Sequence, residues 1–228
     1  GTTTDVALLR DGRPAIDPAG AQVGPYRTMV EAVAMRTHGL GGDSEVHFTS
    51  QGLIAGVTLG PKRLLPVSLL AVEAGEVVHR ALDTQLRRSV VGEHDGRFVR
   101  AVPGQEVEGL VPRDLALLER IGTDVWPLGD VLRNRVEQGA LARLVARGLV
   151  QVAGVTPSDA SHVAGHLVAW DSAAAHKALA LFGRKRGGSG LRFCPEPESL
   201  AKIIIDQLTD QTALALLETA FAEETPAF

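Results

Sequence analysis

Cysteine is nearly missing from these 228 residues: Cys194 stands alone. An internal disulfide and a four-cysteine zinc site are thereby excluded, and a reducing, cytoplasmic setting fits. Aromatic residues are scarce at 4%, so the core has to be built from aliphatic side chains. A large excess of one charge sign is lacking too. The net charge of -4 argues against nucleic acid or an anionic membrane as the partner of the chain as a whole. No apolar run approaches the roughly 20 uncharged residues that a membrane-spanning helix needs.

What is present is ordinary globular material, 45% hydrophobic and 22% charged, long enough for one large domain or a domain with a small insert. Three zones follow one another. Residues 1–92 open β-rich: TDVALL and PAI flank the turn dipeptide Asp11-Gly12, and EVHFTSQGLIAGVTLGP reads as a second hairpin about Gln51-Gly52. The stretch LLAVEAGEVVHRALDTQLRR then carries apolar residues at helical spacing. Residues 93–156 hold a strand, GRFVRAVP, three short helical patterns and a closing strand, LVQVAGV, in the outline of a winged-helix module. Residues 157–228 read as a helix opened by the cap-like TPSDAS and running on to LALFG, a basic Gly-rich loop, RKRGGSG, taken as a solvated turn, and a long helix from near Pro197.

Two stretches carry candidate chemistry. The opening turn Gly1, Thr2, Thr3, Thr4, Asp5 feeds a strand and places hydroxyls and backbone N–H groups where a phosphate could sit. β-propensity alone also explains such threonines. In THGLGGDSEVHF, Gly39, Gly41 and Gly42 cluster between two β-like segments, where glycine lets backbone approach a ligand or simply makes a tight loop.

Taken together, GTTTDVALLRDG, VGPYRTMVEAVAMRTHGLGGDSEVHF and TPSDASHVAGHLVAWD resemble the hydantoinase A and 5-oxoprolinase family of ATP-dependent ring-opening amidohydrolases and related carboxylase subunits. The resemblance covers nearly the whole chain and is strongest over residues 1–70 and 156–171. It implies an α/β, ribonuclease-H-like lobe of the actin, Hsp70 and sugar-kinase type, with the winged-helix-like module inserted. It implies ATP and Mg²⁺ as cofactors, a cyclic amide as substrate, and in some members a second, unrelated subunit. Residues 1–5 match the second half of the family's Asp-x-Gly-Gly-Thr-x-x-Asp phosphate loop, so the chain is expected to be the C-terminal part of a longer polypeptide whose other lobe is missing, inactive by itself.

By that resemblance Thr2, Thr3 and Thr4, with Gly1, would meet phosphate. Asp5 would orient the loop or a metal-bound water, Gly39, Gly41, Gly42 and Ser44 would form the loop near the nucleotide, and His38 and Asp43 would be acid–base or metal groups. One departure is Ala34, where relatives often carry an acid two positions before the Arg-Thr pair.

Three other readings compete. Asp159, His162 and His166 are spaced so that one helix face could offer all three to a metal. The middle module could bind DNA through Arg143 and Arg147, yet residues 112–150 hold six arginines against five acids, a net of only +1. The apolar stretches KIIIDQL and ALALLETAF could cover a partner or serve the core.

Overall fold

The computed structural model describes residues 3–18, 20, 22–23, 26–27 and 32–224. The architecture is mixed α/β. A run of short strands comes first: β1 (Thr4–Ala7), β2 (Leu9–Arg10), β3 (Arg13–Pro14), β4 (Ile16–Asp17), β5 (Gln22–Val23), β6 (Tyr26–Arg27), β7 (Ala32–Val33) and β8 (Met35–His38). Asp11 and Gly12 both have positive φ, 51° and 74°, as a two-residue turn joining twisted strands demands. That turn pairs Arg10 with Arg13. The chain then folds back so that β8 lies antiparallel to β1, with Thr4 opposite His38 and Ala7 opposite Met35.

The second hairpin, β9 (Ser44–Gln51) and β10 (Ile54–Arg63), forms where its sequence indicates, with Gln51 opposite Ile54 and the turn at Gly52-Leu53, one residue beyond the expected Gln51-Gly52. β11 (Leu65–Pro66) leads into helix α1 (Val67–Leu86), whose Val67, Leu70, Val78 and Leu82 are buried. Beyond it come β12 (Phe98–Ala101), α2 (Pro112–Ile121), β13 (Trp126–Pro127), α3 (Leu128–Val131), α4 (Val136–Ala146) and β14 (Val150–Gly154). The chain closes with α5 (Pro157–Val163), α6 (Ser172–Gly183) and α7 (Pro197–Glu224).

The main core lies between the β9–β10 hairpin and helices α1, α5, α6 and α7, filled by Leu59, Leu70, Leu82, Leu179, Leu200 and Ile204 among others. It is mostly aliphatic, with Phe98 and Phe182 as its buried aromatic members. Helix α7 is clipped to β10 by Gln211, whose Oε1 accepts from the Leu59 amide at 3.0 Å while its Nε2 donates to the Leu59 carbonyl at 3.3 Å.

Residues 99–150 have a core of their own, with Val99, Leu117, Ile121, Leu141, Leu144 and Val150. This second core is not hung on a linker. The four-stranded sheet runs β11-β14-β12-β13, with β11 parallel to β14. Side chains alternate across a strand, so Phe98 enters the main core while its neighbour Val99 enters the second. β12 and β14 therefore serve both bodies.

One element differs from its sequence reading. The stretch from TPSDAS to LALFG forms two helices. α5 stops at Val163, and Gly165 takes φ 74°; α6 starts afresh with Asp171 as N-cap, its side chain accepting from the Ala174 amide at 2.9 Å. The run HVAGHLVAWD supplies no continuing helical stripe across the break, and a glycine ends the first helix at little backbone cost.

Candidate phosphate-loop site

The loop after β8 is built by local hydrogen bonds. The Ser44 Oγ accepts from the Gly41 amide at 2.8 Å, and the Ser44 amide returns a bond to the Gly41 carbonyl at 3.1 Å. Ser44 is 2% exposed, so this reciprocal pair holds the bend from inside. On the other side the loop meets the Gly60-Pro61 corner of β10. A Cβ on Gly39 would lie 3.0 Å from the Pro61 carbonyl oxygen, and one on Gly60, which has φ 70°, would run into the Gly39 carbonyl. Glycine is needed at both for close backbone approach.

Three separated motifs converge on this loop. The Thr4 hydroxyl donates to the Leu40 carbonyl at 2.8 Å. The Ser158 amide donates to the Gly42 carbonyl at 2.8 Å, and the Ser158 hydroxyl approaches Asp43 Oδ1 at 3.4 Å. Arg63 lies 3.5 Å from Asp43 Oδ2. Thr4, the GLGGDS loop and the TPSDA cap are thus in contact. Ser158 is a member that sequence reading missed; it lies in the TPSDA motif, which was read for capping, for the family resemblance and for Asp159 but not for its serine.

The expected residues behave differently from one another. Gly1 and Thr2 lie outside the described residues, and Thr3 is exposed. Thr4 has its proton committed to Leu40, so it pins the loop and retains only acceptor capacity there. Asp5 accepts from the Thr37 hydroxyl at 2.7 Å at the exposed strand edge. His38, opposite Thr4, carries a buried Nε2 with no hydrogen-bond partner among the described residues. A buried ring nitrogen left bare costs free energy, and it suits a ligand oxygen or an acidic proton beside this loop. Among the described residues it is the feature here that most resembles an unfilled binding function.

Asp159, His162 and His166 do not come together. Asp159 is fully buried and faces α1: its Oδ1 accepts from the Ser68 amide at 2.8 Å and the Ser68 hydroxyl at 2.6 Å, and its Oδ2 accepts from the Val67 amide at 3.2 Å and from the Thr156 amide and hydroxyl at 3.0 Å each. Burial pushes its carboxyl upward, opposed by these hydrogen bonds from Ser68, Thr156 and Val67. The residue caps α5 and staples it to the start of α1. His162 packs on Trp170 with ring centroids 5.3 Å apart, and His166 is exposed beyond the helix end. Among the described residues no group of three or more His, Cys, Asp or Glu is gathered as for a metal ion.

The middle module spends three of the six arginines of residues 112–150 internally. Arg143 makes a two-pronged bond to Asp114, at 2.8 and 2.7 Å, Arg147 donates to the Glu108 carbonyl at 2.5 Å, and Arg120 grips Glu137. The arginine partners hold both carboxyls below their usual range, aided at Glu137 by the Arg133 amide. Arg143 and Arg147, the two residues that would read DNA, are thus each bonded within the module. On α7, Leu214, Leu216 and Leu217 are exposed while Leu200, Ile204 and Ala215 are buried; the KIIIDQL stretch mainly serves the core and ALALLETAF is largely outward. No helix among the described residues is long and apolar enough to cross a membrane.

No family model matches the chain, nor does a curated protein or a solved structure.

Proposed function

We propose that the chain is the C-terminal lobe of an ATP-dependent enzyme of the hydantoinase and 5-oxoprolinase kind, opening a five-membered cyclic amide. The lobe would be of the ribonuclease-H-like, actin-type class, with residues 93–156 as a winged-helix-like insert and a preceding lobe closing the nucleotide cleft. The reading is supported above all by one observation: the three motifs that carry the resemblance, far apart in sequence, meet through Thr4–Leu40, Gly42–Ser158 and Asp43–Ser158 contacts.

The chemistry fits such a cluster. An unstrained lactam resists water because of amide resonance, and ATP with Mg²⁺ supplies the phosphoryl group that turns the carbonyl oxygen into a leaving group. This chain's residues would position and neutralise charge. The Gly42 and Asp43 amides, which among the described residues are not spent inside the bend, would face phosphate, with Thr3 at its rim, Thr4 holding the bend and Ser44 bracing it from inside. His38 would offer Nε2 to a ligand oxygen, and Asp43, kept in place by Arg63 and Ser158, would present a carboxylate for a metal-bound water.

The test is phosphate release by the whole protein given ATP, Mg²⁺ and either hydantoin or 5-oxoproline. Release that depends on the cyclic amide, matched by ring-opened acid, is the expected result. No amide-dependent release with a panel of five-membered lactams and imides would dispose of the reading.

A further inference from the structure

A second site lies away from the glycine bend, where the basic loop after α6 folds onto the β9–β10 hairpin. The loop is brought there by backbone. The Gly188 amide donates to Ser50 Oγ at 3.0 Å, the Phe193 amide to the Lys185 carbonyl at 2.8 Å and the Cys194 amide to the Gly183 carbonyl at 3.0 Å. A side chain on Gly188 would strike the Gly52 carbonyl, so the glycines of RKRGGSG are there for close approach. Sequence reading took RKR as a solvated turn; the structure tucks Lys185 between two clefts instead.

One cleft, of about 370 Å³, is lined by Phe48, Val90, Lys185, Arg186 and Arg192 among others; a second, of about 240 Å³, shares Phe48, Glu93 and Lys185 with it and adds Glu45, Asp95 and Arg97. The carboxylates around them already have partners. Glu45 is paired with Arg97 and lies 3.6 Å from His47, Asp95 binds Arg88 at 3.1 Å and the Gly92 amide at 2.8 Å, and Glu93 accepts from Gln138 at 3.2 Å. The cations are less well served. Arg184 is spent on the Leu86 and Arg88 carbonyls at the end of α1, and Arg186 reaches only the Gly190 carbonyl. Lys185 has no carboxylate within ion-pair distance among the described residues; its Nζ rests 4.3 Å from the centre of the Phe182 ring.

We propose that this cleft binds a small phosphate-bearing organic molecule, with Lys185, Arg186 and Arg192 on the phosphate and Phe48 and Val90 against its apolar part. A half-buried ammonium without an ion-pair partner among the described residues, whose neighbours Glu45 and Asp95 are already held by Arg97 and Arg88, is a site short of one anion. The Lys185 amine agrees: burial first, then the positive charge of Arg97, push it down to about 8, against a small upward pull from Glu45. A cleft of this volume, with one apolar wall and converging charges, has the size range of small-ligand sites. The proposal is independent of the amidohydrolase reading.

The experiment uses pyridoxal 5′-phosphate on the whole protein. Its aldehyde condenses with a neutral amine to an imine, releasing water, and borohydride then delivers hydride to give a stable secondary amine located by peptide mass spectrometry. Labelling is expected to concentrate on Lys185 over Lys62, Lys177 and Lys202, to rise with pH through about 8, and to be suppressed by millimolar inorganic pyrophosphate. Lys185→Met should weaken pyrophosphate binding about tenfold, whereas Lys185→Arg should keep it and remove its decline as pH rises through about 8. Labels spread evenly over the four lysines, indifference to pyrophosphate, or unchanged pyrophosphate affinity in a folded Lys185→Met protein would each overturn the site. Should Lys185→Met not fold, the labelling of the unaltered protein still decides.

Discussion

Asp159 is the residue whose replacement tests the packing logic most sharply. Its carboxylate is completely buried and takes bonds from two hydroxyls and three amides, from Ser68, Val67 and Thr156, all of which are 0% exposed. Asp159→Ala removes the acceptor and leaves these donors bare. A single unsatisfied buried donor costs about 1 to 3 kcal/mol, and the N3 half of the Thr156 capping box is lost with the side chain. Partial relaxation and water entry at the cavity offset some of that, so the net loss should be about 4 kcal/mol. For a domain of this size a kilocalorie is worth roughly 2 to 4 °C, giving a melting temperature lower by about 8 to 16 °C. Asp159→Asn, which keeps the volume and one acceptor but turns an amide NH₂ toward donors, should lose about half as much. Calorimetry or circular-dichroism melting of the three proteins decides it. If Asp159→Ala melts within about 2 °C of the unaltered protein, the staple between α5 and α1 does not act as argued.

The neighbouring His162→Phe serves as its opposite: both ring nitrogens of His162 lack partners among the described residues, so trading the imidazole for an apolar ring should leave melting unchanged or raise it by a few degrees, and a fall of about 8 °C or more would show that the nitrogens were serving something. Gly60→Ala places a Cβ at φ 70° against the Gly39 carbonyl; roughly 2 kcal/mol of destabilisation should accompany displacement of the glycine bend and loss of amide-dependent phosphate release, and normal melting with full activity would contradict the close approach. The Asp114–Arg143 pair predicts a pH signature. The Asp114 carboxyl is held below its usual value in the folded chain, so its contribution is present above the unfolded pKa near 4 and is lost as pH falls through the folded one. Arg143→Met should therefore melt lower at pH 7 and converge on the unaltered protein as acid protonates Asp114 in the folded chain; a difference that persists in acid would point to lost packing instead.

Local grammar determined much of this protein. Asp11-Gly12 fixed one turn and Gly52 the place of a second to within a residue, Thr156 and the proline after it announced the start of α5, and Pro197 marked the start of α7, because these effects act within a few residues. The scarcity of aromatics made the core mostly aliphatic before any fold was known. Tertiary structure alone decided the rest. Nothing near Asp159 in the chain reveals that its donors include Ser68, 91 residues earlier, which is why a capping and stapling carboxylate could be read as a metal ligand. Nor does RKRGGSG tell that its lysine is half-buried between clefts; that depends on Gly188 meeting Ser50 of a hairpin far back in the sequence. Burial and hydrogen bonding across such distances are properties of the packed chain, because they depend on which surfaces exclude water from each other, and periodicity along the chain carries no record of that pairing.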